Sequence, residues 1–318
     1  MKIEEAIDEL LQQSIPTDIV LVFLPQSDRD ADNTEEGSLY SWIKEKLLRQ
    51  GIMAQGIYEK TLYDPENIKN DYRFILNETV PGILGKLGNI PYVLADPLEV
   101  VDYFIGLDVS RSAKKKSSGS INVCASVRLY GRNGQFVRFR VEDGLTEGEE
   151  IHQRTLEKFL PQSDLKNKKI LIYRDGKFQG NEVKNILERA KAINLQCILV
   201  ECFKSGISRL YNFDQKQLSQ PSKGLAMRLS SCEVILVTTQ IKDKVGIPRP
   251  IRLKVNELGE SIDLQTLVDT TLKLTLLHYG SLKDVRLPVP LYDSDIIAYR
   301  RLQGICPGLL EDDRQFWL

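Results

Sequence analysis

The chain has 318 residues, 42% of them hydrophobic and 27% charged, with a net charge of −1 and five cysteines. That length buries one large core or two ordinary ones, and the apolar content excludes a disordered chain. The absence of any long apolar run excludes a spanning helix, and the near-neutral total excludes coating nucleic acid by charge alone.

The first residues, Met1-Lys2-Ile3-Glu4-Glu5, lack the apolar core of a signal peptide. Cys124, Cys197, Cys202, Cys232 and Cys306 show no CxxC spacing, and three of them lie in strand-like runs as small buried hydrophobes. A reduced, cytoplasmic protein is expected. Basic clusters stand at residues 114–116, 166–169, 249–254 and 300–301. Clusters of this kind are more often solvated faces than phosphate-tracking surfaces, so composition leaves the partner open.

Taken in chain order, residues 18–24 form a continuous apolar run, as in a buried parallel strand. Residues 28–37 read as a polar loop. Leu39, Ile43, Leu47 and Leu48 then repeat at helical spacing, closed by Gly51 as a C-terminal cap. Residues 52–58 read as a second strand. Pro81 is expected to open another helix that ends near Gly88, and residues 91–95 to form a third short strand. This alternation predicts an open, parallel α/β domain, with a boundary near residues 95–101.

Beyond that boundary the order changes. Residues 103–110, 120–130 and 135–141 are three strands joined by short, turn-rich links. A helix at 149–160, a strand at 169–174, a helix at 181–192 and a strand at 195–202 follow. Three hairpin-linked strands and then αβαβ is the chain order of an RNase H-like fold.

Two acids stand out in that order. Asp108 is near the end of the first strand of the second domain, and Asp175 ends the fourth. The strands are neighbours in such a sheet, so the carboxylates converge at one edge. Facing acids repel, and a divalent cation between them removes the conflict. Hydrolysis of a phosphodiester uses this arrangement, with two hard cations about 4 Å apart. Oxygen-only ligands select Mg²⁺ or Mn²⁺ over zinc. The bland reading is that Asp175-Gly176 is an ordinary turn. Asp293 and Asp295, at the start of a helix over 295–303, either join the site or merely cap that helix. Glu142, Glu149 and Glu150 lie where a loop can deliver one of them. His152 and His278 read as bystanders.

At these residues the sequence resembles the Argonaute/Piwi family, specifically the MID-PIWI half of a prokaryotic Argonaute. The pieces that carry the resemblance are Phe104-Ile105-Gly106-Leu107-Asp108-Val109, Ile172-Tyr173-Arg174-Asp175-Gly176, Gly246-Ile247-Pro248-Arg249-Pro250-Ile251 and the stretch over residues 287–300. The resemblance implies a Rossmann-like MID domain over residues 1–100 and an RNase H-like PIWI domain over residues 101–318. It implies that Asp108, Asp175 and Asp295 are metal-binding catalytic residues, with Asp295 preferred to Asp293 by the residues that follow it. Glu149 or Glu150 supplies the fourth acid, and Glu142 is a poorer match.

For the MID half, Tyr40, Lys44, Gln55 and Lys86 match the family's positions for a guide 5′ phosphate, and Arg300 matches one that reaches it from the PIWI side. Tyr40 and Lys44 are four apart, hence on one helical face. Helix N-termini are expected to supplement them. The apolar end Gln315-Phe316-Trp317-Leu318 is expected to tuck inside, either as simple docking or with the Leu318 carboxylate and Gln55 holding a cation at the guide end. Full-length relatives carry an N-terminal domain and a PAZ domain ahead of this region, so a fragment or a naturally short form is expected, and the retained acids favour the C-terminal half of a long, catalytically competent protein.

The function implied is a guide-directed endonuclease that binds a 5′-phosphorylated guide and cuts the complementary target strand. Two alternatives stand beside it: a catalytically inactive module that binds guide and target, and an RNase H-like nuclease without a guide.

Overall fold

The computed structural model describes residues 2–12, 16–30, 38–59, 72–113, 120–144, 150–214, 217–241, 246–305 and 307–318. Two compact units emerge, Met1–Lys69 and Asn70–Leu318. The division therefore falls ahead of the expected boundary near residue 100. Among the described residues no helix is long and apolar enough to cross a membrane.

The first unit contains α1 (Lys2–Gln12), β1 (Ile19–Leu24), α2 (Gln26–Asp30), α3 (Leu39–Arg49) and β2 (Met53–Tyr58). β1 and β2 pair in parallel, from Ile19 opposite Met53 to Leu24 opposite Tyr58. Val20 and Val22 pack toward Ile7, Ile43, Leu47 and Ala54. Leu21 and Phe23 on the opposite face of β1 are exposed, so this strand is covered on one side rather than two. The short helix over Gln26–Asp30 takes in residues 28–30 of the expected loop. Gly51 takes a left-handed φ of 76° just past α3, the cap that the sequence announces.

The second unit opens with α4 (Tyr72–Lys86), which contains Pro81 in its interior rather than at its start. An interior proline costs a helix about 3 kcal/mol. Tertiary contact offsets it here: Gly82 lies under the Tyr279 carbonyl, and Gly85 against Leu318 and Tyr279. Residues 91–95 form no strand. Leu94 N–H donates to the Asn133 carbonyl, and the Tyr92 hydroxyl to that of His278, so these groups bond to loops and not to a sheet.

The rest is built on β3 (Tyr103–Ala113), β4 (Ser120–Tyr130), β5 (Phe136–Gly144), α5 (Gln153–Phe159), α6 (Gln162–Leu165), β6 (Lys169–Asp175), α7 (Glu182–Ala192) and β7 (Gln196–Phe203). There follow a small hairpin, β8 (Asn212–Asp214) and β9 (Gln217–Ser219), then β10 (Ala226–Arg228), β11 (Glu233–Leu236) and β12 (Ile251–Val255). α8 (Leu264–Leu274), α9 (Val289–Leu302) and β13 (Glu311–Asp312) complete the unit. One nine-stranded sheet runs in the order β10-β11-β12-β7-β6-β3-β4-β5-β13. β6 is parallel to both β3 and β7, whereas β3, β4 and β5 form an antiparallel meander. This mixed α/β sheet has the expected RNase H-like order.

Period-2 alternation sorts the strand residues between two layers. Ile105, Leu107, Ile170, Ile172, Cys197 and Leu199 join Leu156, Phe159, Ile186 and Ala190 in the core beneath α5 and α7. The alternate residues face the other layer, where the Tyr173 hydroxyl meets Thr271 of α8 at 2.9 Å and Ser294 of α9 meets Gly106. Cys124, Cys197 and Cys202 are buried free thiols, as expected of small core hydrophobes. The C-terminal residues Phe316 and Trp317 are buried against Phe136 and Phe139.

Candidate active site

β3 and β6 lie side by side with Leu107 opposite Arg174, so Asp108 and Asp175 are the next residues along two parallel neighbours. α9 brings the third acid. It lies so close on β3 that a Cβ on Gly106 would fall 2.0 Å from the Pro290 carbonyl oxygen. Ser294 Oγ donates to the carbonyls of Gly106, at 3.0 Å, and of Pro290, at 2.7 Å. Asp295 is the next residue. One carboxylate oxygen each from Asp108, Asp175 and Asp295 lies within 4.8 Å of the others, the one such group of acids, histidines or cysteines among the described residues.

The three acids differ in environment. Asp108 is buried, with 2% exposure, while Asp175 and Asp295 are partly open. Burial, with the hydrogen bond and charge of Asp175 and the charge of Asp295, pushes the Asp108 carboxyl up to about 8. Its proton is thus shared toward Asp175 at neutral pH. Ser110 Oγ also donates to Asp108 at 3.1 Å. A dense group of oxygen ligands that cannot all ionise alone is the donor set of a hard divalent cation. The residues fit such an ion.

Sequence reasoning missed one member of this cluster. Lys204 Nζ lies 2.7 Å from Asp175 Oδ2 and 3.1 Å from Asp295 Oδ2. Burial acts to lower its pKa, but the charges of Asp175, Asp295 and Asp108 outweigh burial and hold the ammonium above its ordinary value. The signal was available in the strand order. Cys202 pairs with Asp175 across β6 and β7, so the residue two further on points to the same face.

The glutamate candidates separate. Glu149 lies outside the described residues. Glu150 Oε1 accepts from the Asn181 N–H at 2.8 Å and is not part of the carboxylate group. The helix expected from 149 starts only at Gln153, and the Ile151 N–H ahead of it donates to Glu182 Oε1 at 2.7 Å. Glu142 stands opposite Cys124 on the sheet face away from Asp108, bound to Arg140 at 3.1 Å and Lys158 at 2.5 Å. That removes it from the site.

α9 starts at Val289 with Pro288 as its cap, so neither Asp293 nor Asp295 caps it. Asp293 is wholly buried, its Oδ1 3.7 Å from His278 Nδ1, and burial raises its pKa. His278 is thus a buried partner of a different acid. His152 caps α5 through its backbone position alone.

The proposed phosphate ligands fall in both units. In the first, Lys44 is buried on α3 with its ammonium 5.9 Å from the Tyr40 ring centroid. The Tyr40 hydroxyl donates to the Ala54 carbonyl at 3.1 Å, and its ring covers Gly56. Gln55 Nε2 donates to the Gly56 carbonyl at 3.0 Å. The amides opening α3 already have acceptors within the first unit. Asp28 accepts from Leu39 and Tyr40 N–H, and Ser38 Oγ from Ser41 N–H, so that end is already capped by an acid.

In the second unit, Lys86 is buried at 1% exposure, and burial, then the Arg300 charge, lowers its pKa to about 7. Leu318 packs on Gly85 one residue away, and Gln315 N–H donates to the Gly85 carbonyl at 3.1 Å. Lys86, Arg300 and the C-terminal tail therefore share one locality.

A family model described as Piwi domain matches residues 20–305. The protein argonaute of Aquifex aeolicus (strain VF5) is 30% identical over 306 residues, covering 95% of this chain and 41% of the relative. That of Pyrococcus furiosus is 25% identical over 280 residues, covering 82% of this chain and 34% of its own. Among solved structures, Clostridium butyricum Argonaute bound to a guide DNA and a 19-mer target DNA superposes with a TM-score of 0.83 at 23% identity, over 100% of this chain and 41% of that one. Aquifex aeolicus Argonaute superposes with a TM-score of 0.73 at 27% identity, over 99% of this chain and 44% of that one. The chain spans less than half the length of these relatives. With its sheet order, its converging acids and the family match in agreement, the chain belongs to the Piwi-domain family and is related to the Argonautes.

Proposed function

We propose that this chain is the guide-holding and target-cutting part of a guide-directed endonuclease. The convergence of Asp108, Asp175 and Asp295 within 4.8 Å, where β6 ends beside β3, is the observation that carries the reading. These three residues would hold Mg²⁺ or Mn²⁺, with Glu149 or Glu150 as the fourth acid. When bound, a pair of such ions supplies an activated water and neutralises charge on the leaving oxygen. Asp108 adds its full charge only on losing its proton, so loading the site and releasing that proton go together. Asp295 and Asp175 are more open than Asp108, which leaves them accessible to an incoming strand.

In this reading residues 1–100 act as a Rossmann-like MID domain and residues 101–318 as the PIWI domain. Tyr40, Lys44, Gln55, Lys86 and Arg300 grip the 5′ phosphate of the guide. Tyr40 stacks on the first base while the ammonium groups meet the phosphate. The guide and target bound to the Clostridium butyricum relative support a nucleic-acid duplex as the partner. Sequence is read by base pairing, while the protein grips backbone and end group. Free buried thiols fit a cytoplasmic setting.

The test is cleavage of a complementary strand with a 5′-phosphorylated guide and Mn²⁺. Asp175→Ala should abolish product while guide binding survives, and chelator should abolish product from the parent protein. Cleavage by Asp175→Ala at the parental rate would rule out this site. A binding-only reading has one observation in its favour: Glu150 is committed to the Asn181 amide. Guide and target binding without product at any Mn²⁺ concentration would establish it.

A further inference from the structure

The carboxylate site carries its own cation. Lys204 stands just past the end of β7, and its side chain reaches across to α9 as well as to β6. Its ammonium joins two acids that come from elements 120 residues apart in sequence, since Asp175 ends one strand and Asp295 lies in the C-terminal helix. No other ion pair is made by Asp175 or Asp295 among the described residues, and the side chain is only 32% exposed. A surface lysine shared by chance between two acids does not usually bury most of its length.

The electrostatics assign it a task. The Asp175 and Asp295 carboxylates, held within 4.8 Å, repel one another if nothing positive stands between them. Between carboxylates this close, in a site only partly open to solvent, that repulsion is poorly screened. A divalent cation relieves that repulsion with two charges and direct oxygen bonds, whereas an ammonium relieves it with one charge and hydrogen bonds. The first is the stronger ligand partner, and the second is permanently tethered. Both draw on the same negative charge, so each weakens the hold of the other.

We propose that Lys204 is a resident counter-ion, holding Asp175 and Asp295 together while the site lacks metal and yielding to a divalent cation when one binds. The proposal rests on the metal-site reading above. It assigns a new residue to that site, in the role of positioning its ligands. The lysine stem suits the task. Its four-carbon chain is flexible, and the strand ends beneath it, so the ammonium withdraws by side-chain rotation without disturbing β7.

Calorimetric titration of the chelator-treated protein with Mn²⁺, together with melting curves in EDTA, tests this. Lys204→Met should bind Mn²⁺ about tenfold or more tightly than the parent, and should melt several degrees lower in EDTA. Mn²⁺ should then raise its melting temperature by more than it raises that of the parent. Lys204→Arg keeps the charge and should stay within about threefold of the parental affinity. Lys204→Gln, which keeps a donor, serves if the methionine variant fails to fold, and should also bind Mn²⁺ more tightly. Unchanged or weaker Mn²⁺ binding in the neutral variants overturns the counter-ion, as does an unchanged melting temperature in EDTA. Asp175→Ala, titrated alongside, keeps the two readings apart. Loss of Mn²⁺ binding there, with no effect of Lys204, sinks only the counter-ion. Full Mn²⁺ binding there sinks the metal site itself.

Discussion

Gly106 and Pro290 are in contact through backbone alone: the space for a Cβ on Gly106 is filled by the Pro290 carbonyl, 2.0 Å from where that carbon would sit. This absence of a side chain lets α9 lie on β3, and the seat of α9 places Asp295 beside Asp108. Gly106→Ala should therefore push the helix off its strand. The expected loss is about 2–4 kcal/mol, or roughly 4–16 °C in melting temperature. Mn²⁺ binding should weaken with it. A melting curve unchanged from the parent would show that the close approach is not needed.

Asp108 makes the metal-free protein sensitive to pH. Its carboxyl is raised to about 8, first by burial and then by Asp175 and Asp295. A carboxyl raised on folding contributes stability that is complete below its unfolded value and lost as pH rises through the folded one. Metal-free stability should thus fall between about pH 4 and pH 8, and Asp108→Asn should remove that slope. The variant should melt several degrees above the parent at pH 8.5 without metal, and gain least near pH 4. Parallel melting curves across that range would count against the assignment.

Lys86 predicts the opposite kind of linkage. Burial and the Arg300 charge hold its ammonium near a pKa of about 7, so it is only partly charged at neutral pH. A bound phosphate draws the proton back, and binding that takes up a proton weakens as pH rises above 7. Lys86→Met should cost about 10- to 100-fold in affinity for a 5′-phosphorylated guide, and flatten the decline from pH 7 to 9. A 5′-hydroxyl guide should be nearly indifferent to the change. Equal loss for both guides would place Lys86 outside the phosphate pocket.

The strand that ends in Asp175 is anchored from its other face. Arg174 Nε lies 3.1 Å from Glu182 Oε2, with exposures of 3% and 1% for the two side chains. Glu182 also accepts from the amides of Ile151, at 2.7 Å, and Gln179, at 3.1 Å. Glu182→Ala removes the buried carboxylate that balances the Arg174 guanidinium and should destabilise by about 3–5 kcal/mol in a denaturant titration. A loss below 1 kcal/mol would mean that water or another acid replaces it.

Much of this was legible in the chain. The strands at 103–110, 120–130 and 169–174 and the helix at 181–192 announce themselves by local period and turn chemistry, because alternation and helical spacing are properties of neighbouring residues. The same local rules misread Pro81 as a helix start and residues 91–95 as a strand. In both places the winning contacts are distant: Tyr279 and Leu318 under α4, Asn133 and His278 around the would-be strand.

The amino-acid order by itself pointed to Asp108 and Asp175 as neighbours on adjacent parallel strands, since turn chemistry and period-two alternation mark both runs, although β3 continues to Ala113 and only Asp175 ends its strand. It did not determine what else meets them there. Only the folded chain decided that Asp295 joins them through the seat of α9 on Gly106, that Lys204 stands among them as a cation, and that Glu142 is turned to the opposite face. Those outcomes depend on how distant elements pack and on the mutual charge of groups far apart in sequence, neither of which leaves a local pattern.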